Sequence, residues 1–176
     1  MSFIIKTKRL EIIPLNSSML ETTHIYATDL NVTKYMLFLP NKSIEETKSF
    51  LEYVEDCWKK NDLVVNKTFE CAIIYQGEHI GAVSLYIENE IAEMGWILRK
   101  EFQRLGIMYE AANALKNYCL NHYNIRKILA HCDVNNIASY KLMEKLGFER
   151  VLVQERIYND ERGKSLEYEY QLVIRE

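Results

Sequence analysis

Apolar positions change their spacing several times along the chain, and each change marks a new element. Arg9-Leu10-Glu11-Ile12-Ile13 alternates as a first strand, which Pro14 ends. Ser18 followed by Glu21 has the spacing of a capping box and predicts a helix to about Thr28. Ser43 with Glu46 repeats that signal ahead of Ile44, Thr47, Phe50, Leu51, Val54 and Trp58, an apolar stripe at helical spacing. Residues 69–75 and 79–87 read as two strands of a hairpin around Gln76-Gly77-Glu78, where the glycine can supply a positive φ. A third strand, 91–98, follows the polar turn Glu88-Asn89-Glu90. The period then lengthens: from Gly106 onward, Ile107, Ala111, Leu115 and Tyr118 predict a helix to about His122. Residues 126–134 are β-rich again, and 136–146 are helical up to Gly147. Residues 148–158 and 166–174 alternate as two last strands, joined by the turn-rich Asn159-Asp160-Glu161-Arg162-Gly163.

This order predicts an α/β domain with a sheet that is mainly antiparallel at first. A helical crossover between the strands near Trp96 and Ala130 makes that pair parallel. There is no internal repeat, low-complexity tract or linker, so residues 1–176 are read as a single domain, long enough to bury roughly 70% of its unfolded surface. Between the first two helices, Tyr35-Met36-Leu37-Phe38-Leu39-Pro40 is too apolar for a simple solvent loop; it either plugs the core or walls an acceptor pocket.

Charge removes some partners. With 22 basic against 25 acidic residues and a formal charge of -3, neither nucleic acid nor an anionic membrane is the expected ligand. Phe3-Ile4-Ile5 is much shorter than the apolar stretch of about 7–15 residues in a signal peptide. Cys57, Cys71, Cys119 and Cys132 form no CxxC pair and read as small core residues of a cytoplasmic protein. No metal is expected: His131 and Cys132 adjoin on a strand, where successive side chains face opposite ways.

Two segments carry candidate chemistry. Gln103-Arg104-Leu105-Gly106-Ile107-Met108 joins a strand to a long helix, and a glycine at such an entry lets backbone approach a ligand. Free N–H groups of the first helical turn suit a phosphate or pyrophosphate. The chain has no GxGxxG and no GxxxxGK[ST]. The second segment runs from Asp133 to Phe148: Asn136 is a sound N-cap with Ser139 three residues on, Leu142 and Leu146 are the buried side, and Lys141 and Lys145 form a basic strip. By itself it reads as a capped amphipathic helix with two solvated lysines.

Together the two segments resemble the GNAT superfamily of acetyl-CoA-dependent N-acetyltransferases. Gln103 to Met108 is similar to its Q/R-x-x-G-x-G/A pyrophosphate loop, with Met108 at the last position. Asn136-Ile137-Ala138-Ser139, continuing to Lys145-Leu146-Gly147-Phe148, resembles the N-x-x-S…K-x-G-F stretch of the RimJ/RimL branch of ribosomal-protein N-terminal acetyltransferases. Ala92-Glu93-Met94-Gly95-Trp96 fits that branch's A-E-I-G-Y strand, and Thr7-Lys8-Arg9-Leu10 its T-x-R-L opening. The resemblance implies a mixed, mostly antiparallel sheet of about seven strands with a splayed parallel pair, flanked by about four helices. It implies acetyl-CoA as co-substrate, with pantetheine along Trp96, Ile97 and Leu98, Asn136 reaching it from the opposite side, and pyrophosphate over the 103–108 loop. Lys141 meets the ribose phosphate or is solvated.

Many GNAT enzymes place a catalytic tyrosine where this chain has Met143, so the resemblance shifts the proton donor to Ser139, acting directly or through a water. Glu93 is the candidate general base; its alternative is an ion pair on its own strand. The acceptor is a primary amine, either a protein N-terminus or a small molecule. Glu45, Glu46, Glu52, Glu55 and Asp56 would supply an acidic pocket for a polyamine unless they form a solvated helix face. A non-catalytic acyl-CoA sensor is the alternative function. A homodimer is left open, through an edge strand at 166–174 whose Tyr168 and Tyr170 share a face.

Overall fold

The computed structural model describes residues 3–37, 40–61, 66–158 and 160–174. Among them lie eight strands, β1 (Ile5–Lys6), β2 (Leu10–Pro14), β3 (Lys67–Tyr75), β4 (Glu78–Glu88), β5 (Ile91–Leu98), β6 (Lys127–Asp133), β7 (Glu149–Ile157) and β8 (Lys164–Val173). Five α-helices accompany them: α1 (Leu20–Thr28), α2 (Leu30–Thr33), α3 (Ile44–Lys60), α4 (Ile107–His122) and α5 (Ile137–Lys145). The strands form one sheet in the order β1-β2-β3-β4-β5-β6-β8-β7, antiparallel throughout except for β5 beside β6. The β3–β4 hairpin closes on Gln76 and Gly77, both at positive φ (52° and 83°), as a two-residue turn between twisted strands requires.

The eight strands and five helices stand close to the expected numbers; β1, of two residues, and α2, of four, are too short to show a period. Two expectations need correction. Ser18 does not cap α1: the Asn16 side chain accepts from Ser18 N (3.0 Å) and opens a 3-10 turn, Ser17–Met19, so the α-helix starts at Leu20. Pro14 does end β2, as its last paired residue, opposite Cys71. Residues 166–174 are no edge: β8 lies between β6 and β7, and β7 is the outer strand. Its Tyr170 is buried in the protein's own core, with Tyr168 packed edge-on against it.

The core divides by sheet face. On one face α4 and α5 cover Cys71, Val83, Leu85, Met94, Ile128 and Ala130. On the other, α3 lays Leu51 and Val54 against Ala72 and Leu15, each such buried side chain contributing about 1.5–3 kcal/mol. Ser43 does cap α3, accepting from Glu46 N. Phe38 and Leu39 of the apolar 35–40 segment, and Asn159 of the last turn, lie outside the described residues. No helix among the described residues is long and apolar enough to cross a membrane.

Candidate active site

The chain leaving β5 is bent twice into left-handed backbone, at Arg104 (φ 64°) and Gly106 (φ 74°). A bulky residue at positive φ is an outlier that the surroundings must hold in place. Here the Gln103 side chain donates to Leu98 O at 3.0 Å, and the next turn enters α4 with Ile107 driven into the core. As a result the amides of residues 104–109 donate to no described acceptor. The first amide bonded back is that of Glu110, to Gly106 O at 3.1 Å. Six consecutive free N–H groups at the positive end of a 16-residue helix form a seat for an anion. Leu105 is half exposed, so its side chain does not close the seat.

The N-terminal T-x-R-L opening holds this loop from outside. Arg9 donates through Nε to Glu110 (2.7 Å) and through Nη1 to Leu105 O (3.0 Å), while Thr7 Oγ1 donates to the same carboxylate at 2.6 Å. Against the cost of its desolvation, Thr7 Oγ1, Arg9 Nε and the Arg9 amide (3.0 Å) hold the Glu110 carboxylate below the usual range. Sequence reasoning used Thr7 and Arg9 only as marks of kinship. Their role depends on a contact across 101 positions that no local pattern encodes.

On the opposite face, β3, β4 and β5 line up Glu70, Ser84 and Gly95 in register. They border a cavity of about 370 Å³ under α1 and α3, whose walls include Tyr26, Met36, Leu37, Phe50, Tyr86, Trp96 and Ile97. Met36 and Leu37 thus wall a pocket, as one reading of the 35–40 segment has it. Gly95 keeps the space open: a Cβ there would stand 3.0 Å from Ser84 Oγ. Glu70, buried in the middle of an apolar strand, has its carboxyl pushed up to about 8 by burial. It was not singled out from sequence, although a lone acid inside Phe69-Glu70-Cys71-Ala72-Ile73 is the available signal.

Between the two faces the sheet opens. β5 and β6 pair only at Ile91↔Lys127, Ala92↔Ile128 and Glu93↔Leu129. Beyond Glu93, β6 keeps pairing with β8 as far as Asp133, but residues 94–98 of β5 have β4 alone as a partner. The split ends beside the anion seat on one side and the start of α5 on the other. The chain matches the acetyltransferase (GNAT) domain over residues 9–149. It belongs to the GNAT acetyltransferase family.

Three similar proteins illustrate the family. YnaD of Bacillus subtilis (strain 168), an uncharacterized N-acetyltransferase, is 30% identical over 83% of this chain and 82% of its own. A GNAT-family acetyltransferase from Bacillus anthracis is 26% identical, with a TM-score of 0.79 over 97% of this chain and 98% of that one. RimL, a ribosomal-protein α-N-acetyltransferase solved with coenzyme A, shares the fold with a TM-score of 0.83 at 23% identity, covering 98% of both chains.

Within this GNAT domain the residues expected to act fall on two sides of the split. Asn136 caps α5 by accepting from Ser139 N at 3.2 Å, and its Nδ2 donates to no described residue. Ser139 is buried beside Cys132, whose thiol burial pushes up to about 11. Met143 is fully buried in the core, so the usual tyrosine position carries packing here. Lys141 is exposed, 4.0 Å from Glu144, whereas Lys145 lies over the Tyr109 ring (4.4 Å) and ties α5 to α4. Glu93 shares the cavity's sheet face but does not line the cavity. It pairs with His131 at 3.2 Å, which lowers the carboxyl and raises the imidazole. Of the five acids on α3, none lines the cavity: Glu55 caps Ser17 N (2.8 Å), Asp56 pairs with Lys60, and the others face solvent.

Proposed function

We propose that this acetyltransferase moves the acetyl group of acetyl-CoA to a primary amine by direct attack in a ternary complex. The observation that carries the proposal is the parting of β5 and β6 after Glu93 beside six unengaged amides at the start of α4. The amides of residues 104–108 hold the pyrophosphate, with Arg104 adding charge and Gln103 tying the loop to the strand end. Main-chain groups of Trp96, Ile97 and Leu98, left without a β6 partner, line the pantetheine arm, and the free Nδ2 of Asn136 reaches it from across the gap. Lys141, exposed on α5, meets the ribose phosphate.

The amine must be neutral to attack the thioester carbonyl. Negative charge then develops on the carbonyl oxygen, where unpaired N–H groups of β5 stabilise it. Ser139, directly or through one water, donates a proton to the departing thiolate. Glu93 orients the amine or takes its proton through water; its pairing with His131 keeps it ionised at neutral pH. RimL acts on a protein N-terminal amine, which favours an α-amino acceptor; a small-molecule amine is the other member of the class. The protein works in the cytoplasm. A homodimer of this chain would pair through β7, the open edge, where Val151, Leu152 and Val153 are each about half exposed.

The test is release of free thiol from acetyl-CoA on mixing with primary amines and short peptides. Thiol release with at least one acceptor, and none with tertiary amines, is the expected result. Binding of acetyl-CoA with no thiol release across the panel would overturn it.

A further inference from the structure

Among the described residues, one ionisable carboxyl lies on the floor of the cavity beside the split. Glu70 is 7% exposed, borders the open space, and has no hydrogen-bond partner for its carboxyl among the described residues. The other buried acid is matched, Asp133 accepting from the Tyr158 hydroxyl at 2.7 Å, and the partly buried Glu167 accepts from Arg156 at 2.9 Å. An unmatched buried carboxyl is costly to fold around, so its retention points to a ligand that completes it.

Glu70 is also held firmly. Its main-chain carbonyl accepts from Leu15 N (3.0 Å) and Trp58 Nε1 (2.8 Å), so β3 cannot rotate the side chain out. Ser84 stands opposite it on β4, and Gly95 opposite Ser84 on β5 leaves the way open toward the parted strands. Among the described residues no basic side chain lines the cavity, and its walls are mostly apolar, with Tyr26, Phe50 and Ile97 among them.

We infer that Glu70 receives the amino group of the acceptor, and that the acceptor is a primary amine carried on a small apolar body. The inference rests on the acetyl-transfer reading above and names its substrate class. A polyamine fits poorly, since among the described residues only one acid lines the cavity and a second ammonium would be stranded among apolar walls. The apolar amine is either a free small molecule or the first residue of a peptide.

Near pH 8, where about half of Glu70 is ionised, the arriving ammonium gives one proton to the Glu70 carboxylate. The nitrogen lone pair forms the C–N bond to the thioester carbonyl carbon, the C–S bond breaks, and sulfur leaves with the electron pair. The second ammonium proton, lost from nitrogen, ends on that thiolate as free thiol, and Glu70 returns its own proton to solvent. Burial places the Glu70 carboxyl at about 8, close to an α-amino group's own affinity for the proton. The titratable groups near it are Tyr26 from α1 and Tyr53 from α3, with Cys71 adjoining it on the opposite face of the sheet, none of them cationic.

The experiment compares 2-phenylethylamine, a tripeptide beginning with Phe, and spermidine as acceptors for the wild-type protein, Glu70→Gln and Glu70→Asp. Thiol-release kinetics are run beside calorimetric titration of acetyl-CoA, and of each amine into the CoA-saturated protein. The wild type should bind and use one of the two apolar amines in preference to spermidine, and whichever is used faster identifies the source. Glu70→Gln should lower kcat/KM for that amine by about 100-fold, and Glu70→Asp by about tenfold, with acetyl-CoA affinity unchanged. Undiminished kcat/KM in a folded Glu70→Gln protein, preference for spermidine, or no binding of either apolar amine overturns the inference. Failure of the wild type to bind acetyl-CoA overturns the acetyl-transfer reading instead.

Discussion

His79 and Glu70 are both buried on the β3–β4 hairpin, yet their surroundings give them opposite characters. His79 is fully partnered, its Nδ1 bonded to Thr22 Oγ1 (2.7 Å) and its Nε2 to Gly81 O (3.0 Å). Burial holds it down to about 4, so it is a neutral structural group whose Nε2 carries the proton toward the carbonyl. Glu70 has no such partner, and burial moves its pKa upward. The folded state therefore binds the Glu70 proton more tightly than the unfolded chain does. Its stabilising contribution is whole below the ordinary carboxylate pKa and is lost as pH rises toward 8. Wild-type stability should fall between pH 5 and pH 8 with a slope of at most about 1.4 kcal/mol per pH unit from this group. Glu70→Gln should remove that slope and raise Tm at pH 9, measured by thermal unfolding across pH; parallel curves for the two proteins would show that Glu70 is not held neutral. At Ser139, replacement by Ala should lower kcat by about 10²-fold with the acetyl-CoA KM little changed. An undiminished kcat would remove the hydroxyl from the chemistry.

At the scale of elements, the entry to α4 is a loop whose conformation depends on two other segments. Gly106 sits at a φ that side chains resist, and its position faces the free amides. Gly106→Glu adds backbone strain, bulk and like charge together, and should abolish acetyl-CoA binding in calorimetry while the fold, followed by circular dichroism, persists. Arg9→Ala removes the donors to Glu110 and Leu105 O without touching the loop itself. It should raise the acetyl-CoA KM by about tenfold and leave kcat near wild type, since it affects only how well the seat is preformed. Steady-state kinetics at saturating acceptor measure the split. Long periodic elements were legible in sequence: β3, β4, β5, α3 and α4 lie within about two residues of their expected places, because each carries a full period of buried positions. Ser43 and Ser18 present the same local signal, but only Ser43 caps a helix. Asn16 competes for Ser18, accepting both its amide and its hydroxyl (2.6 Å), and two residues of sequence context outweigh the spacing rule.

Across the whole molecule, the C-terminal hairpin grips the segment that walls the cavity. Arg156 donates to Tyr35 O (3.1 Å), and Arg162 donates to Lys34 O (2.7 Å) and Met36 O (3.0 Å), spanning more than 120 positions. Arg156 is held from the other side by Glu167, and both are largely buried. Arg156→Ala would leave Glu167 buried without its cation and release the Tyr35 carbonyl, costing about 3–5 kcal/mol in urea unfolding. A loss below 1 kcal/mol would mean that water replaces the guanidinium. The sequence by itself determined the element order, the α/β class, the glycine-bearing helix entry and the family resemblance, because these follow from short-range periods, caps and backbone freedom. Tertiary structure alone decided that β8 is interior and β7 the edge, that Arg9 buttresses a loop some hundred residues away, and that Glu70 faces a cavity. Each of those facts depends on which strands become neighbours, and strand neighbours are chosen by burial summed over the whole sheet.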